Sequence, residues 1–398
     1  MGPFISAILS VAVAIVGFIA AFTLLNLAVG RLPSKWERRV RPWVFVGPAV
    51  IFLFIGLFMP ALRTIYLSFR GGPRGEDGFT LDNYVGGDQA PKGVFRDKTV
   101  VSFDNFSHIF TSRLFIVGVA IALLAGFLGW RSAHKSEGGR GIELSNPSTS
   151  IGLVVAVIAI LFAVFTVLRG VLWNNLWWVV TVTGLATIFG LGLAVLADRS
   201  RRETLAKTMI FMPLAISLVG AAIIWSYVYN IQAAGQAKGL LNSVLDLFGV
   251  KQIDFMRSAN IIPWNNLFIM IIMIWIQTGF AMVVLSAAVK SVPSELIEAA
   301  KVDGASDVQV FWRITLPQII PTLLVVITTL IVTVMKVFDV VKATTNGAFG
   351  TDVLANRMYT NLRDGNFTMS STFSVIILVL VAPVIWWNFR RNREEQRV

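Results

Sequence analysis

A run of apolar residues long enough to cross a bilayer leaves a chain few ways to fold. Trp264–Val289 is such a run, and Ile319–Val341 follows it. A span needs about 20 mostly apolar residues, because in lipid every backbone polar group must be paired within its own helix. Phe4–Val29, Trp43–Phe69, Leu114–Trp130, Ile151–Leu172, Trp177–Ala197, Thr208–Tyr229 and Ser371–Asn388 extend the series, which predicts about nine transmembrane helices. The expected fold class is all-α, a polytopic helical membrane protein. Composition agrees, with 56% hydrophobic and 14% charged residues over 398 positions; soluble chains carry about 25% charged.

The net charge of +12 suits a bilayer and not nucleic acid. Lys and Arg gather beside the apolar runs, in Arg31–Pro42, Arg131–Ser150, Asp198–Lys207, the 290–318 loop and the tail after Asn388. Segments of that kind stay on the cytoplasmic side. The N-terminus is then outside and the C-terminus cytoplasmic. The start MGPF lacks the basic residues of a secretory signal, so the first run reads as a span. No basic helix with interleaved aromatics appears, so no nucleic-acid partner is expected. The absence of Cys excludes disulfides and thiolate metal sites, and the two His, His108 and His134, lack partners at ligand spacing. No metal site is expected.

One polar stretch, Glu295–Pro317, interrupts the second half of the chain. Ser291, Pro293 and Ser294 are helix-start residues. Glu295 and Glu298 suit the positive end of a helix dipole. Gly304 suits an αL turn. Residues Asp307–Arg313 predict a second short helix that Pro317 stops.

The order Glu298-Ala299-Ala300, Gly304, Ile314 and Leu316-Pro317 resembles the EAA signature of ABC importer permeases, with every specified position at the right spacing. Met212-Pro213, Trp225, Gly239-Leu240-Leu241-Asn242, Gly279-Phe280 and Lys336-Val337-Phe338-Asp339 resemble further elements of the carbohydrate-uptake branch, which includes the maltose, alpha-glucoside and trehalose F-type permeases. The branch's Gly-Gly-Pro element reads Gly347-Ala348-Phe349 here, a departure. The resemblance implies a type I ABC importer permease fold in a bacterial plasma membrane. It also implies a division into an extra N-terminal helix and basic loop (1–42), a first family span with its external segment (43–112), an inserted hairpin (113–172), a core with the 290–318 coupling loop (173–389) and a basic tail (390–398).

In that family the loop docks on the ATPase subunit. The resemblance therefore assigns ATPase coupling to Glu298, Ala299, Ala300, Asp303, Gly304, Ile314, Leu316 and Pro317. The chain has no GxxxxGK[ST] phosphate loop, so it is not expected to be an enzyme or to bind a cofactor; ATP and Mg belong on partner ATPase chains. The implied partners are a second permease subunit, an ATPase dimer, an extracytoplasmic sugar-binding protein and the sugar itself. Polar or aromatic groups in mid-span are costly unless used, which selects Gln277, Thr278, Phe280, Thr329 and Thr333 for the substrate path; helix packing is the competing role for each. The resemblance adds Val334 and Val337 to that set. A stand-alone secondary transporter is the alternative reading, though no ionisable residue lies deep in a span to serve it.

Overall fold

A computed structural model of the chain describes residues 33–86, 113–136, 170–198, 202–230, 238–257 and 264–395, with scattered residues of 13–29, 93–100 and 152–160. The chain divides into two compact units, Met1–Tyr66 and Leu67–Val398.

Within the first unit a helix begins at Ser34. It leads into the apolar span α1, Pro42–Ser68, whose last two residues lie in the second unit and which carries a π-helical turn at Phe54–Phe58. Pro60 follows that turn. A proline removes one i→i−4 bond, and the wider π turn absorbs the gap without ending the helix.

Helices are the main elements of the second unit, with turns and one isolated bridge, Arg70 to Phe79, and a short helix at Asp82–Val85 among the described residues between them. Its elements are α2 (Arg113–Ser136), α3 (Val171–Asp198), α4 (Glu203–Phe211), α5 (Leu218–Tyr229), α6 (Leu240–Leu247), α7 (Trp264–Lys290), α8 (Ser294–Val302), α9 (Asp307–Met335), α10 (Asp339–Thr344), α11 (Leu354–Arg363) and α12 (Phe367–Glu395). Helices α3, α7, α9 and α12, together with α1, are each long and apolar enough to cross a membrane.

The count of nine is therefore only partly represented. Among the described residues there are five such helices, or six if α4 and α5 form one broken span. The expected spans Phe4–Val29 and Ile151–Leu172 lie mostly outside the described residues. The apolar part of α2, Ile116–Gly129, is shorter than a span.

Four local expectations are corrected. Thr208–Tyr229 is not one straight helix: α4 and its 3-10 extension through Ala215 meet α5 at 99°. Pro213 lies in that 3-10 turn, and the Ser217 hydroxyl caps α5 by accepting from the Gly220 N–H at 3.0 Å. Trp173–Asn175, which the sequence suggests as a tight turn between two spans, is instead the first turn of α3, and Gly170 just before the helix has φ 125°. Pro317 does not stop a short helix. A π turn at Phe311–Thr315 comes before it, as one does before Pro60, and α9 runs through. The span expected to reach Val341 ends at Met335, and Asp339–Thr344 forms a separate helix.

Helices α3 and α7 are the centre of the unit. They run parallel, and three contacts mark their register. The Trp178 indole donates to Asn266 at 2.8 Å near one end. In the middle Gly190 lies so close to α7 that a Cβ there would meet the Ala281 Cβ at 2.5 Å. At the far end Lys290 pairs with Asp198 at 3.4 Å. Gly279 gives similar access on another side of α7, where the Ile210 carbonyl of α4 would lie 2.7 Å from a Cβ. Helix α9 packs against the same pair through Leu330 and Val334, both fully buried.

Candidate functional site

The polar loop after α7 is built as helix, glycine turn, helix. α8 carries no buried residue. Neither Ser291 nor Ser294 caps it: the Ser291 hydroxyl donates back to the Ala288 carbonyl at 2.7 Å, and Pro293 occupies the cap position. Gly304 has φ 83° and closes α8 with paired bonds, Gly304 N–H to the Lys301 carbonyl and Ala305 N–H to the Ala300 carbonyl. This is a Schellman closure, which needs a residue without Cβ strain in the left-handed region. The next helix opens on a capping box of Ser306 and Gln309. That S-x-x-Q signature is readable in sequence and was not among the expected features.

Glu298, Ala299, Asp303, Gly304 and Pro317 are exposed, and Ala300, Ile314 and Leu316 are half-buried. The apolar hold on α8 is Ile297. It packs in a cluster with Ala288 of α7, with Val292 just after that helix, and with Ile314, Leu316 and Ile319 of α9. The outward face leaves Leu296, Val302, Val308 and Trp312 exposed, Val302 at 87%. Exposed apolar side chains beside Glu298, Asp303 and Asp307 make a surface of the kind at which protein partners commonly bind.

A charge cluster ties the three helix ends nearest this loop. Lys290 pairs with Glu203 at 2.6 Å and with Asp198 at 3.4 Å, and Lys207 also pairs with Glu203. The last residue of α7 is thereby fastened to α3 and α4, just ahead of α8.

The mid-span candidates do not converge on one place. Gln277 and Thr278 are buried on α7, Phe280 is half-buried there, and Val334 and Val337 are buried in the main core. Thr329 and Thr333 instead face a groove between α9 and α12. The Thr278 hydroxyl has no hydrogen-bond partner, and the buried hydroxyls of Thr183 and Thr187 on α3 and Ser286 on α7 share that condition. Several other hydroxyls in the spans fold back on their own helix, as Thr329 does on the Val325 carbonyl and Thr333 on the Thr329 carbonyl, both at 2.8 Å. A buried unmet hydroxyl costs about 1–3 kcal/mol. Helices α3 and α7 therefore carry several buried polar groups that a water or another polar group would satisfy.

The opposite ends of α3 and α7 reveal a repeat that went unread in the sequence. Trp173-Asn174-Asn175-Leu176 opens α3 and Trp264-Asn265-Asn266-Leu267 opens α7. Three of these Asn residues, Asn174, Asn175 and Asn265, hold the 349–354 segment. Asn174 donates to the Gly350 carbonyl at 2.6 Å, and Asn265 donates to that of Phe349 at 2.9 Å. Asn175 donates to the Met335 carbonyl and accepts from the Leu354 N–H, both at 2.9 Å. Phe349, within the Gly347-Ala348-Phe349 departure, sits at φ 58° and is 46% exposed. A non-glycine residue held there needs an over-determined setting, and the two Asn repeats supply it.

Residues 186–390 match the profile of a family described as binding-protein-dependent transport system inner membrane component. The osmoprotective compounds uptake permease protein GgtC of Synechocystis is 35% identical over 357 residues, covering 89% of this chain and 100% of that protein. The alpha-glucoside transport system permease protein AglF of Rhizobium meliloti is 43% identical over 270 residues, covering 67% of this chain and 76% of that protein. Among solved structures, a chain of the bacterial alginate ABC transporter in complex with an alginate pentasaccharide-bound periplasmic protein superposes with a TM-score of 0.55 at 18% identity, over 92% of this chain and 98% of that one. That likeness concerns the fold.

Proposed function

Since the chain belongs to the binding-protein-dependent transport system inner membrane component family, we propose that it forms half of the translocation path of an ATP-driven sugar importer and is driven through its 290–318 loop. As a member of that family it is a multi-pass inner-membrane permease, a transport subunit and not an enzyme. The sugar is an oligosaccharide of the alpha-glucoside or trehalose kind, a reading supported by the likeness to the alpha-glucoside permease AglF and to the trehalose/maltose permease MalF of Thermococcus litoralis.

The observation that carries the coupling role is α8. It buries nothing of its own, exposes an apolar patch and is held to the ends of α7 and α9 by Ile297. A push on such a helix passes directly into the two spans it touches. Its docking groove lies on an ATPase subunit, with Glu298, Ala299, Ala300, Asp303 and Gly304 at the contact and Ile314, Leu316 and Pro317 completing the coupling segment in the first turns of α9. Two ATPase chains hold ATP and Mg, a second permease completes the path, and an extracytoplasmic sugar-binding protein delivers the substrate. The C-terminus and the 290–318 loop are cytoplasmic, and the N-terminus is outside.

The substrate path follows the α3–α7 seam. Gln277, Thr278, Thr183 and Thr187 would bond sugar hydroxyls, and Phe280 would offer a ring face. Val334 and Val337 close the seam in the present packing and would have to withdraw for a sugar to pass.

The test is Glu298→Lys in the protein purified with its natural ATPase partner. The expected result is normal membrane insertion with loss of the rise in ATP hydrolysis that sugar-loaded binding protein produces. An unchanged rise would remove the docking role. A chain that transports sugar alone, without any ATPase, would replace this reading with that of a secondary transporter.

A further inference from the structure

Helix α6 stands at the end of the unit where α7 begins, opposite the coupling loop. One of its sides is fixed to the protein. Asn242 is fully buried there, and its amide donates to the carbonyls of Asn230, which caps α5, at 2.9 Å and of Ile253 at 3.1 Å. Its side-chain oxygen accepts from the Ile253 N–H at 2.9 Å. Leu241 and Leu245 lie on the same side and pack against the main core. The other two sides differ in chemistry. Ser243 and Asp246 form a polar flank, where Asp246 pairs with Lys238 at 2.8 Å. Leu240, Val244 and Leu247, with Phe248 just past the helix, form an apolar stripe at i, i+4, i+7 and i+8. All four are exposed, Leu247 at 84% and Phe248 at 77%. At about 100° per residue, the fixed, polar and apolar sides stand roughly 120° apart.

That three-way division is the shape of a helix lying in the plane of a bilayer surface, with protein beside it, water above it and acyl chains below. Its surroundings lie at the same depth. Tyr229 at the end of α5 packs against Trp225, Phe255 and Phe268, with ring centroids 5.2, 5.6 and 5.7 Å away. An aromatic cluster where spans end marks the headgroup level. The Gly239 N–H donates to the Asn230 carbonyl at 3.1 Å, so Leu240 begins beside the end of α5. On α5 itself Val219, Ile223 and Tyr227, at four-residue spacing, are exposed as well.

We infer that α6 is an interfacial helix, seated in the bilayer surface with Leu240, Val244, Leu247 and Phe248 among the acyl chains and the Lys238–Asp246 pair in water. Because Asn242 fastens α6 to the end of α5, the bilayer surface then sets the depth of that end. Lipid is the occupant that fits. A soluble binding protein comes and goes, and between visits it would leave Leu247 and Phe248 in water, whereas a bilayer covers them at all times. The stripe also has no charge with which to steer a soluble partner. The inference requires only that the chain is a multi-pass membrane permease and rests on neither the sugar nor the coupling reading.

The chain contains no cysteine, so a single spin label can be placed by Val244→Cys, Leu247→Cys or Asp246→Cys. Each variant is assembled as the full chain with cysteine-free partner subunits in nanodiscs of phosphatidylglycerol and phosphatidylcholine. All three side chains are exposed, and co-purification with the partner subunits verifies that each variant folds. Oxygen, which concentrates among acyl chains, should relax the labels at 244 and 247 more than a water-soluble nickel chelate does. At 246 the order should invert. Nickel relaxing the label at 247 as strongly as the one at 246 would overturn the inference by placing the stripe in water. Labels at 244 and 247 immobile and shielded from both reagents would overturn it in favour of a second permease seated on α6. Shielding that appears only when sugar-loaded binding protein is added would overturn it in favour of that partner.

Discussion

Trp178 donates its indole N–H to Asn266 at 2.8 Å, and both side chains are fully buried. The bond joins α3 to α7 across 88 positions of sequence. Trp178→Phe would leave the Asn266 oxygen buried without a donor, a loss of about 1–3 kcal/mol. A lower thermal midpoint in detergent is the expected result. Trp178→Phe combined with Asn266→Leu removes both partners and should recover much of that loss. A double variant as unstable as the sum of the two singles would show that the bond does not set the seam.

Glycine at 190 and 279 exists for close approach. A Cβ at Gly190 would meet Ala281 at 2.5 Å, and one at Gly279 would meet the Ile210 carbonyl at 2.7 Å. Gly190→Ala and Gly279→Ala should each destabilise by about 1–3 kcal/mol through overpacking. Gly192 on the same α3 has nothing within 4 Å. Gly192→Ala should be neutral or stabilise by up to about 1 kcal/mol, since Ala is the better helix former. Thermal unfolding of the three variants side by side checks the ranking.

Ile297 is the apolar link between α8 and the ends of α7 and α9. Ile297→Ala should leave the subunits assembled but reduce the response of ATP hydrolysis to sugar-loaded binding protein, by about ten-fold if the link supplies roughly 1.4 kcal/mol. Leu296→Ala changes an exposed side chain of the proposed docking surface and should weaken assembly itself. Co-purification and ATPase assays separate the two effects.

Burial pushes the Asp352 carboxyl above its ordinary range, despite the opposing hydrogen bond from Asn356 and the pull of Arg357, whose Nε lies 2.6 Å away. A raised folded-state pKa means that the folded protein holds the proton more tightly than the unfolded chain. The stability this contributes is complete below the ordinary value of 3.8 and is lost as pH rises through the raised value. Relative to Asp352→Asn, the wild type should therefore gain stability as pH is lowered from 7 towards 4. A pH series of melting curves for both proteins would show it, and parallel curves would show that Arg357 offsets the burial.

The features legible in the sequence are those written locally. Length and hydropathy locate the spans at Trp177–Ala197, Trp264–Val289 and Ser371–Asn388 within helices α3, α7 and α12. Gly304 predicts its own left-handed turn because the reason is the missing Cβ of a single residue. Pro317 misleads for a related reason. The sequence shows the lost N–H, whereas only the folded chain shows a π turn absorbing it.

Tertiary structure alone decided the rest. The parallel register of α3 and α7 depends on Trp178 meeting Asn266, Gly190 admitting Ala281, and Asp198 meeting Lys290. Each side of those contacts is unremarkable by itself. The repeated Trp-Asn-Asn-Leu was a signal in plain view, but its purpose, holding a loop more than eighty residues further on, exists only once both helices lie side by side. Thr329 and Thr333 had the same apparent role as Gln277 and Thr278 until packing turned them towards α12. Hydropathy records the medium in which a residue lies, and only the packing of helices determines which neighbour it faces.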